Sequence, residues 1–366
     1  MQLFARLYDS VLPAVFAAIL TASSAVAAEP EQVLPSAENV RAAFLKLLDR
    51  PRVPADLQIR NPENLAEGLV AEHLSIASEK KENGSIERVP MLLVRPDKPL
   101  KRMPAVIVLH GTGGNKDSMR PILVEFAKRG IVGVALDARY HGDRVGGKSG
   151  SREYVAAITR AWRTPSGQPQ EHPFYYDTCW DIWRAIDYLQ SRADIDGERL
   201  GMIGFSMGGI ETWLAASVDE RVKVSVLSIS VQSFRWSLDN GAWQARANTI
   251  AETHRAAAQD LGEPTVNARV CRELWNKVVP GILEQFDCPS MIRLFAGRPL
   301  LVINGELDPN CPLDGAKIAF AAAESAYKEV NAVEKLRIDV AAKTAHRVTD
   351  EHLQMAMNWF VTWLKP

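Results

Sequence analysis

Short hydrophobic runs alternate with amphipathic stretches along most of the chain beyond residue 100. Residues 105–109 form a continuous apolar run, which is typical of a strand buried on both faces of a sheet. Further strands are predicted at residues 131–136, 200–205, 222–229, 299–303 and 336–340. Apolar residues at helical spacing predict helices at 119–129, 176–190 and 208–217, between the last two strands, and at the C-terminus up to Leu364. This alternation predicts an α/β fold, in which a mostly parallel central sheet carries helices on both faces.

The pattern before residue 100 is different. Residues 69–77 and 86–94 favour strands on either side of a turn at Asn83 and Gly84, so we expect an antiparallel hairpin. Upstream of the hairpin the chain is rich in proline and charge around one amphipathic stretch at 40–48, which favours a helix.

Two long segments interrupt the alternation of strands and helices. Residues 231–296 separate two predicted strands by more than a crossover helix needs, so we expect a helical cap insertion above the sheet. Because such segments often carry specificity, Trp236, Trp243 and Trp275 are candidate substrate contacts, with simple burial of each as the alternative. The other segment, residues 141–174, is polar and is predicted to be a loop.

The N-terminus has the features of an export signal. Arg6 precedes an apolar stretch at 11–20, and Ala25-Val26-Ala27 fits a signal peptidase site. An apolar leader on a cytosolic protein is the alternative, since Asp9 offsets Arg6. We predict export to the periplasm or the medium, and three parts of the chain: a signal peptide at 1–27, an N-terminal extension at 28–64 and one α/β domain with the cap insertion at 65–366.

Composition narrows the functional classes. Of the 366 residues, 47% are hydrophobic and 24% charged, with a net charge of −1, so charge favours neither nucleic acid nor an anionic membrane as a partner. No apolar run reaches about 18 residues, so we expect no stable membrane insertion. The four cysteines form no CxxC motif; in an exported protein Cys271 and Cys288 could pair, or both could be buried thiols.

The strongest chemical signal is residues 204–208, Gly-Phe-Ser-Met-Gly, between a predicted strand and a predicted helix. In that context G-x-S-x-G is a nucleophile elbow, a sharp turn that presents the serine above the carboxyl edge of the sheet. Glycines in the turn leave room for the close approach of strand and helix. Ser206 is therefore the candidate nucleophile.

A serine nucleophile needs a base and an acid that orients the base. His346 follows the last predicted strand, and Asp308 follows the strand at 299–303, so both lie at the same sheet edge as Ser206. The order Ser, Asp, His is the one found in α/β-hydrolases. Glu306, two residues before Asp308, is the alternative acid.

Two loops supply further candidates. Residues 110–114, His-Gly-Thr-Gly-Gly, end the strand at 105–109, and the backbone N–H groups of Thr112 and Met207 are the candidate oxyanion hole. Residues 137–144, Asp-Ala-Arg-Tyr-His-Gly-Asp-Arg, could bind a substrate carboxylate through Arg139 or Arg144. The alternative is a structural charge network that braces the pocket.

Together these motifs resemble the α/β-hydrolase superfamily, in the branch of dienelactone-hydrolase-like, acetyl-xylan-esterase-like and prolyl-oligopeptidase-like domains. The resemblance covers residues 65–366 and rests on H-G-T-G-G, D-A-R-Y-H-G-D-R, G-F-S-M-G, G-E-L-D-P and T-A-H. It implies the fold and the triad of Ser206, Asp308 and His346. Dienelactone hydrolases proper use a cysteine nucleophile where Ser206 stands, and this chain has no room for a propeller domain of the oligopeptidase kind.

The expected function is a serine hydrolase that cleaves a small-molecule carboxylic ester through an acyl-enzyme. The mechanism needs no metal and no organic cofactor. A small peptidase or amidase is the alternative, and a non-catalytic binding protein on the same fold is a further one. The sequence leaves the acyl and alcohol groups and the oligomeric state open.

Overall fold

We describe residues 34–147 and 150–366 in a computed structural model. The predicted signal peptide lies outside these residues. Within them the chain forms ten strands: β1 (Gln58–Ile59), β2 (Glu63–Asn64), β3 (Leu69–Lys80), β4 (Ile86–Pro96), β5 (Met103–Leu109), β6 (Val132–Leu136), β7 (Ile195–Phe205), β8 (Val222–Ser228), β9 (Leu300–Gly305) and β10 (Leu336–Ala341).

Twelve α-helices lie within the same residues. They are α1 (Ala37–Leu48), α2 (Arg120–Lys128), α3 (Arg152–Arg163), α4 (Tyr176–Ser191), α5 (Met207–Val218), α6 (Phe234–Asp239), α7 (Gln244–Asn248), α8 (Ala251–Asp260), α9 (Ala268–Val278), α10 (Cys288–Ile292), α11 (Leu313–Glu329) and α12 (Asp350–Leu364).

All ten strands join one sheet, which confirms the predicted fold class. The order is β1-β3-β4-β6-β5-β7-β8-β9-β10, with β2 also paired to β3. The strands from β6 to β10 run parallel, whereas β3 and β4 form the predicted antiparallel hairpin and β4 joins β6 antiparallel. The chain leaves β5 first toward β6 and later toward β7. The carboxyl end of β5 is therefore a topological switch point, where α/β proteins bind their ligands.

The sheet is covered on both faces. Every residue of β5 is buried, and successive side chains alternate between two hydrophobic clusters. Ala105, Ile107 and Leu109 belong to the cluster that includes residues of α4, α5 and α11, whereas Val106 and Val108 belong to the one that includes α2 and α12. This two-sided burial explains why the strand has no polar alternation in its sequence.

One predicted loop contains a helix. Residues 141–174 include α3, which the sequence analysis missed. Tyr154, Val155, Ile158 and Ala161 are buried on one side of α3, which packs against α8 and α9. Charged residues at both ends of α3 and polar residues in the flanking loops make the segment polar on average, although the spacing of the buried residues is that of an amphipathic helix.

The segment 231–296 is helical, as expected for an insertion between two strands of the sheet. It holds α6 to α10 and contains no strand. Cys271 in α9 and Cys288 in α10 are free, buried thiols in the structure, so the possible disulfide is not present. No helix among the described residues is both long enough and apolar enough to cross a membrane.

Candidate active site

The nucleophile elbow joins the end of β7 to the start of α5. Ser206 stands between them with φ 54° and ψ −110°, a backbone conformation that residues other than glycine rarely adopt. A Cβ on Gly204 would lie 2.0 Å from the carbonyl oxygen of Gly208, and one on Gly208 would lie 2.5 Å from that of Leu109. The two glycines therefore allow the close packing that holds Ser206 at the edge of the sheet.

The structure brings Ser206, His346 and Asp308 together in a chain of hydrogen bonds. The Ser206 Oγ lies 2.8 Å from the His346 Nε2, and the His346 Nδ1 lies 2.7 Å from the Asp308 Oδ2. Since a carboxylate only accepts, Nδ1 carries the proton and Nε2 is the acceptor for the serine hydroxyl. Asp308 is buried, while Ser206 and His346 are partly exposed. This arrangement can remove a proton from the hydroxyl as it attacks a carbonyl carbon.

The backbone fixes the Asp308 carboxylate. Its Oδ1 accepts hydrogen bonds from the N–H groups of Asn310 at 2.8 Å and Cys311 at 3.2 Å, which leaves Oδ2 for the histidine. Arg246 from α7 donates to the carbonyl of Asn310 at 2.9 Å and so braces the same turn. Nothing in the sequence around Arg246 indicated this contact.

Glu306 has a different role in the structure. Its Oε2 accepts a hydrogen bond from the backbone N–H of Lys343 at 2.7 Å, and its backbone N–H donates to Ala341. Glu306 therefore ties the turn after β9 to the loop that precedes His346. Of the two candidate acids, Asp308 is the one in contact with the histidine.

The glycine-rich loop after β5 lies against the elbow. A Cβ on Gly111 would be 3.7 Å from the Cβ of Ser206. Two N–H groups of this loop are already used, because Gly113 donates to the Nε2 of His141 at 3.1 Å and Gly114 donates to the carbonyl of Gly111. Thr112 stands between Gly111 and Gly113 in the chain, and its N–H stays the candidate oxyanion donor beside that of Met207.

Two buried histidines hold the loop, and sequence reasoning gave them no role. The His141 Nδ1 donates to the carbonyl of Arg139, so its Nε2 is free to accept from Gly113. His110 is held similarly: Nδ1 donates to Gly111, and Nε2 accepts from Ala138. Burial lowers the pKa of each histidine to about 4, so both are neutral at neutral pH, as an accepting nitrogen requires. Their places in H-G-T-G-G and D-A-R-Y-H-G-D-R were the available signals.

Arg139 belongs to a buried charge network and not to an open pocket. Its guanidinium pairs with Asp181 at 2.5 Å and with Glu79 at 2.7 Å, and Arg144 pairs with Asp181 and Glu87. Burial favours a raised pKa for Asp181, but Arg139 and Arg144 outweigh it and lower that pKa overall. The structure thus favours the bracing alternative, because a guanidinium with its carboxylates already in place is not available to a substrate.

The three candidate tryptophans differ in environment. Trp275 is fully buried, and its indole N–H donates to the Nε2 of His254 at 3.0 Å, so it is a core residue and not a candidate for substrate contact. Trp236 and Trp243 are partly exposed. Trp236 packs on Gly315 of α11, where a Cβ would come within 2.8 Å of the ring.

One group of metal-ligating atoms coincides with the triad. Asp308, Cys311 and His346 offer atoms that lie within 4.8 Å of one another. Asp308 and His346 are hydrogen bonded to each other, and the Cys311 thiol donates to the carbonyl of Ile229 at 3.3 Å. Burial also raises the pKa of the Cys311 thiol. These groups are therefore already used in ways that suit acid–base chemistry better than metal binding.

Comparison with known proteins agrees with the fold class. Residues 89–229 match the model of the dienelactone hydrolase family. YtaP of Bacillus subtilis (strain 168), whose name proposes a hydrolase, is 26% identical over 76% of this chain and 84% of its own length. YitV of the same organism, whose name proposes an esterase, is 24% identical over 77% of this chain and 98% of its own.

Solved structures share the fold over nearly the whole chain. An acetyl xylan esterase from Paenibacillus sp. R4 superposes with a TM-score of 0.62 at 17% identity, covering 91% of this chain and 96% of that one. A glucuronoyl esterase from Solibacter usitatus gives 0.59 at 16% identity, covering 87% and 91%. At these identities the likeness concerns the fold alone. The chain thus has the α/β-hydrolase fold, and its residues 89–229 are similar to the dienelactone hydrolase family.

Proposed function

We propose that this protein is a serine hydrolase that cleaves a carboxylic ester, with Ser206 as nucleophile, His346 as general base and Asp308 as the orienting acid. The observation that carries the proposal is the chain of two short hydrogen bonds from Ser206 to Asp308 at the carboxyl edge of the sheet. The strained backbone at Ser206 supports it, because strain of this kind persists where function requires it.

The reaction follows from the positions of these groups. The Ser206 Oγ attacks the ester carbonyl carbon while the His346 Nε2 takes the hydroxyl proton, and Asp308 stabilises the imidazolium that forms. The N–H groups of Thr112 and Met207 stabilise the oxyanion, and each such donor is worth about 3–4 kcal/mol of barrier. His346 then protonates the leaving alcohol, and water hydrolyses the acyl-enzyme by the same steps in reverse.

The segment 231–296 forms a cap that sets substrate choice in this proposal. It leaves the sheet after β8 and returns before β9, whose end presents Asp308. Partly exposed Trp236 and Trp243 supply an apolar wall for the small-molecule ester, as pockets commonly have. A wall that binds ground and transition states equally changes KM and leaves kcat nearly unchanged.

A series of model esters, with matched anilides, tests reaction and cap together. We expect the purified protein to hydrolyse the esters much faster than the anilides, and Trp236→Ala or Trp243→Ala to reorder kcat/KM among acyl groups mainly through KM. Trp275→Ala is the contrasting control, which should lower the melting temperature. Faster cleavage of the anilides would favour an amidase, and an unchanged acyl preference in both wall variants would show that the cap has no part in selection.

Export is part of the proposal, although its signal lies outside the described residues. The apolar stretch at 11–20 and the Ala-Val-Ala site at 25–27 support cleavage after residue 27 or 28. N-terminal sequencing of protein from the native host should therefore find Ala28 or Glu29 first. Recovery of the chain with residues 1–10 intact would exclude this processing.

A further inference from the structure

The last strand of the sheet has an open edge. β10 pairs with β9 on one side, and among the described residues no strand pairs with its other side. Such an edge presents a row of backbone N–H and C=O groups, which can pair with a strand of another chain. β10 is six residues long and contains no proline that would block this pairing.

Apolar side chains flank this edge on both faces of the sheet. On the α12 face, Trp359 and Trp363 are partly exposed with ring centroids 5.7 Å apart, and they line a groove of about 630 Å³. On the α11 face, Leu336 and Ile338 line a second groove of about 350 Å³ beside Val333, which is 54% exposed. Aromatic and aliphatic groups on both sides of a free strand are characteristic of a surface that another protein covers.

The charges along β10 select the partner. Arg337 and Asp339 alternate with Ile338, so they project on one face of the sheet, where they form an ion pair at 3.5 Å and Asp339 also contacts His352 of α12. Unlike the buried Arg139, the Arg337 side chain is 51% exposed, so its guanidinium can also reach a carboxylate of a second chain. If two copies of β10 pair antiparallel about a twofold axis at Ile338, Arg337 of each copy lies opposite Asp339 of the other. If the axis passed at Arg337, the two copies of Arg337 would face each other. If it passed at Asp339, the two copies of Asp339 would do so. Opposite charges on facing strands stabilise a pair, and like charges oppose it.

We propose that the protein forms a twofold dimer through β10, with the two sheets joined antiparallel at Ile338. The partner is a second copy of this chain, because the same strand supplies both members of each complementary ion pair. The interface is isologous and closes on itself, so it ends at two chains.

Charge reversal tests the register. Analytical ultracentrifugation of the full chain should show a dimer that R337D weakens by about tenfold or more in dissociation constant, since two attractive cross-strand pairs become repulsive. In the double variant R337D/D339R, an acidic side chain at 337 again faces a basic side chain at 339 of the other copy, so the dimer should be restored. R60D, an exposed reversal before β3 at the other side of the sheet, is the control and should leave association unchanged.

Cysteine substitution tests the position of the axis. Two copies of Ile338→Cys would face each other with Cα atoms about 5 Å apart, so mild oxidation should link the chains. Val340→Cys lies two residues from the axis and should not link. A wild-type monomer at every concentration, an R337D dimer as tight as wild type, or linking by Val340→Cys instead of Ile338→Cys would each overturn the proposal. The four native cysteines are buried, so they should not obscure the result.

Discussion

Ser206→Ala is expected to lose ester hydrolysis almost completely, by about 10⁴-fold or more in kcat, with the fold intact. The variant removes the Ser206 Oγ, the nucleophile that lies 2.8 Å from the His346 Nε2. Without it no acyl-enzyme can form. Binding and the oxyanion donors remain, and they leave a small residual rate. Steady-state kinetics on a reactive ester and circular dichroism of the same sample measure the two quantities.

Ser228→Ala is the matched control. Its backbone carbonyl accepts from the N–H of Ser206, so it stands beside the elbow, yet its buried hydroxyl has no partner among the described residues. Losing that hydroxyl should change neither activity nor stability by much. A fluorophosphonate probe should label wild type and Ser228→Ala, and should fail to label Ser206→Ala.

Two results would contradict this assignment. Near-normal turnover by Ser206→Ala would mean that another group attacks the ester. A wild-type protein that neither turns over esters nor reacts with the probe would favour a binding protein that keeps the fold, in spite of the intact triad geometry.

The sequence predicted the strands and the triad positions for physical reasons. β5 is buried on both faces, so its apolar run is unbroken and easily recognised. The candidate triad residues each follow a strand, and parallel strands end at one edge, so chain order alone brought Ser206, Asp308 and His346 together. The helix α3 was missed because charged residues stand at both of its ends and polar loops flank it, so the average over 141–174 hides its amphipathic period.

Residue type alone did not predict which side chains would be buried. Trp275 was a candidate because it lies in the insertion at 231–296, and Arg139 because its guanidinium could bind a substrate carboxylate. In the structure, packing encloses the first and ion pairs occupy the second. The support of the oxyanion loop by His141 depends on a contact between residues 28 positions apart in the chain. Such contacts form only when folding brings the loop after β5 against the loop after β6. No local pattern in the sequence predicts that arrangement.

Asp308→Asn is expected to keep the fold and lose most of the activity, by about 10³–10⁴-fold in kcat. The N–H groups of Asn310 and Cys311 require an oxygen at the Oδ1 position, so the amide of the variant must turn its NH₂ toward His346. The His346 Nδ1 then has to accept, which moves its proton to Nε2. In that tautomer Nε2 donates to Ser206 and cannot take the hydroxyl proton.

Glu306→Gln separates this effect from the general loss of a carboxylate in the same turn. Its amide oxygen can still accept from the N–H of Lys343, so the loop before His346 should stay in place and kcat should change little. Each of the two variants replaces one carboxylate oxygen by an amide NH₂, and the two positions are two residues apart in the chain. If Glu306→Gln lost the activity and Asp308→Asn kept it, the acid of the triad would be Glu306, and the 2.7 Å contact between Asp308 and His346 would have no catalytic role.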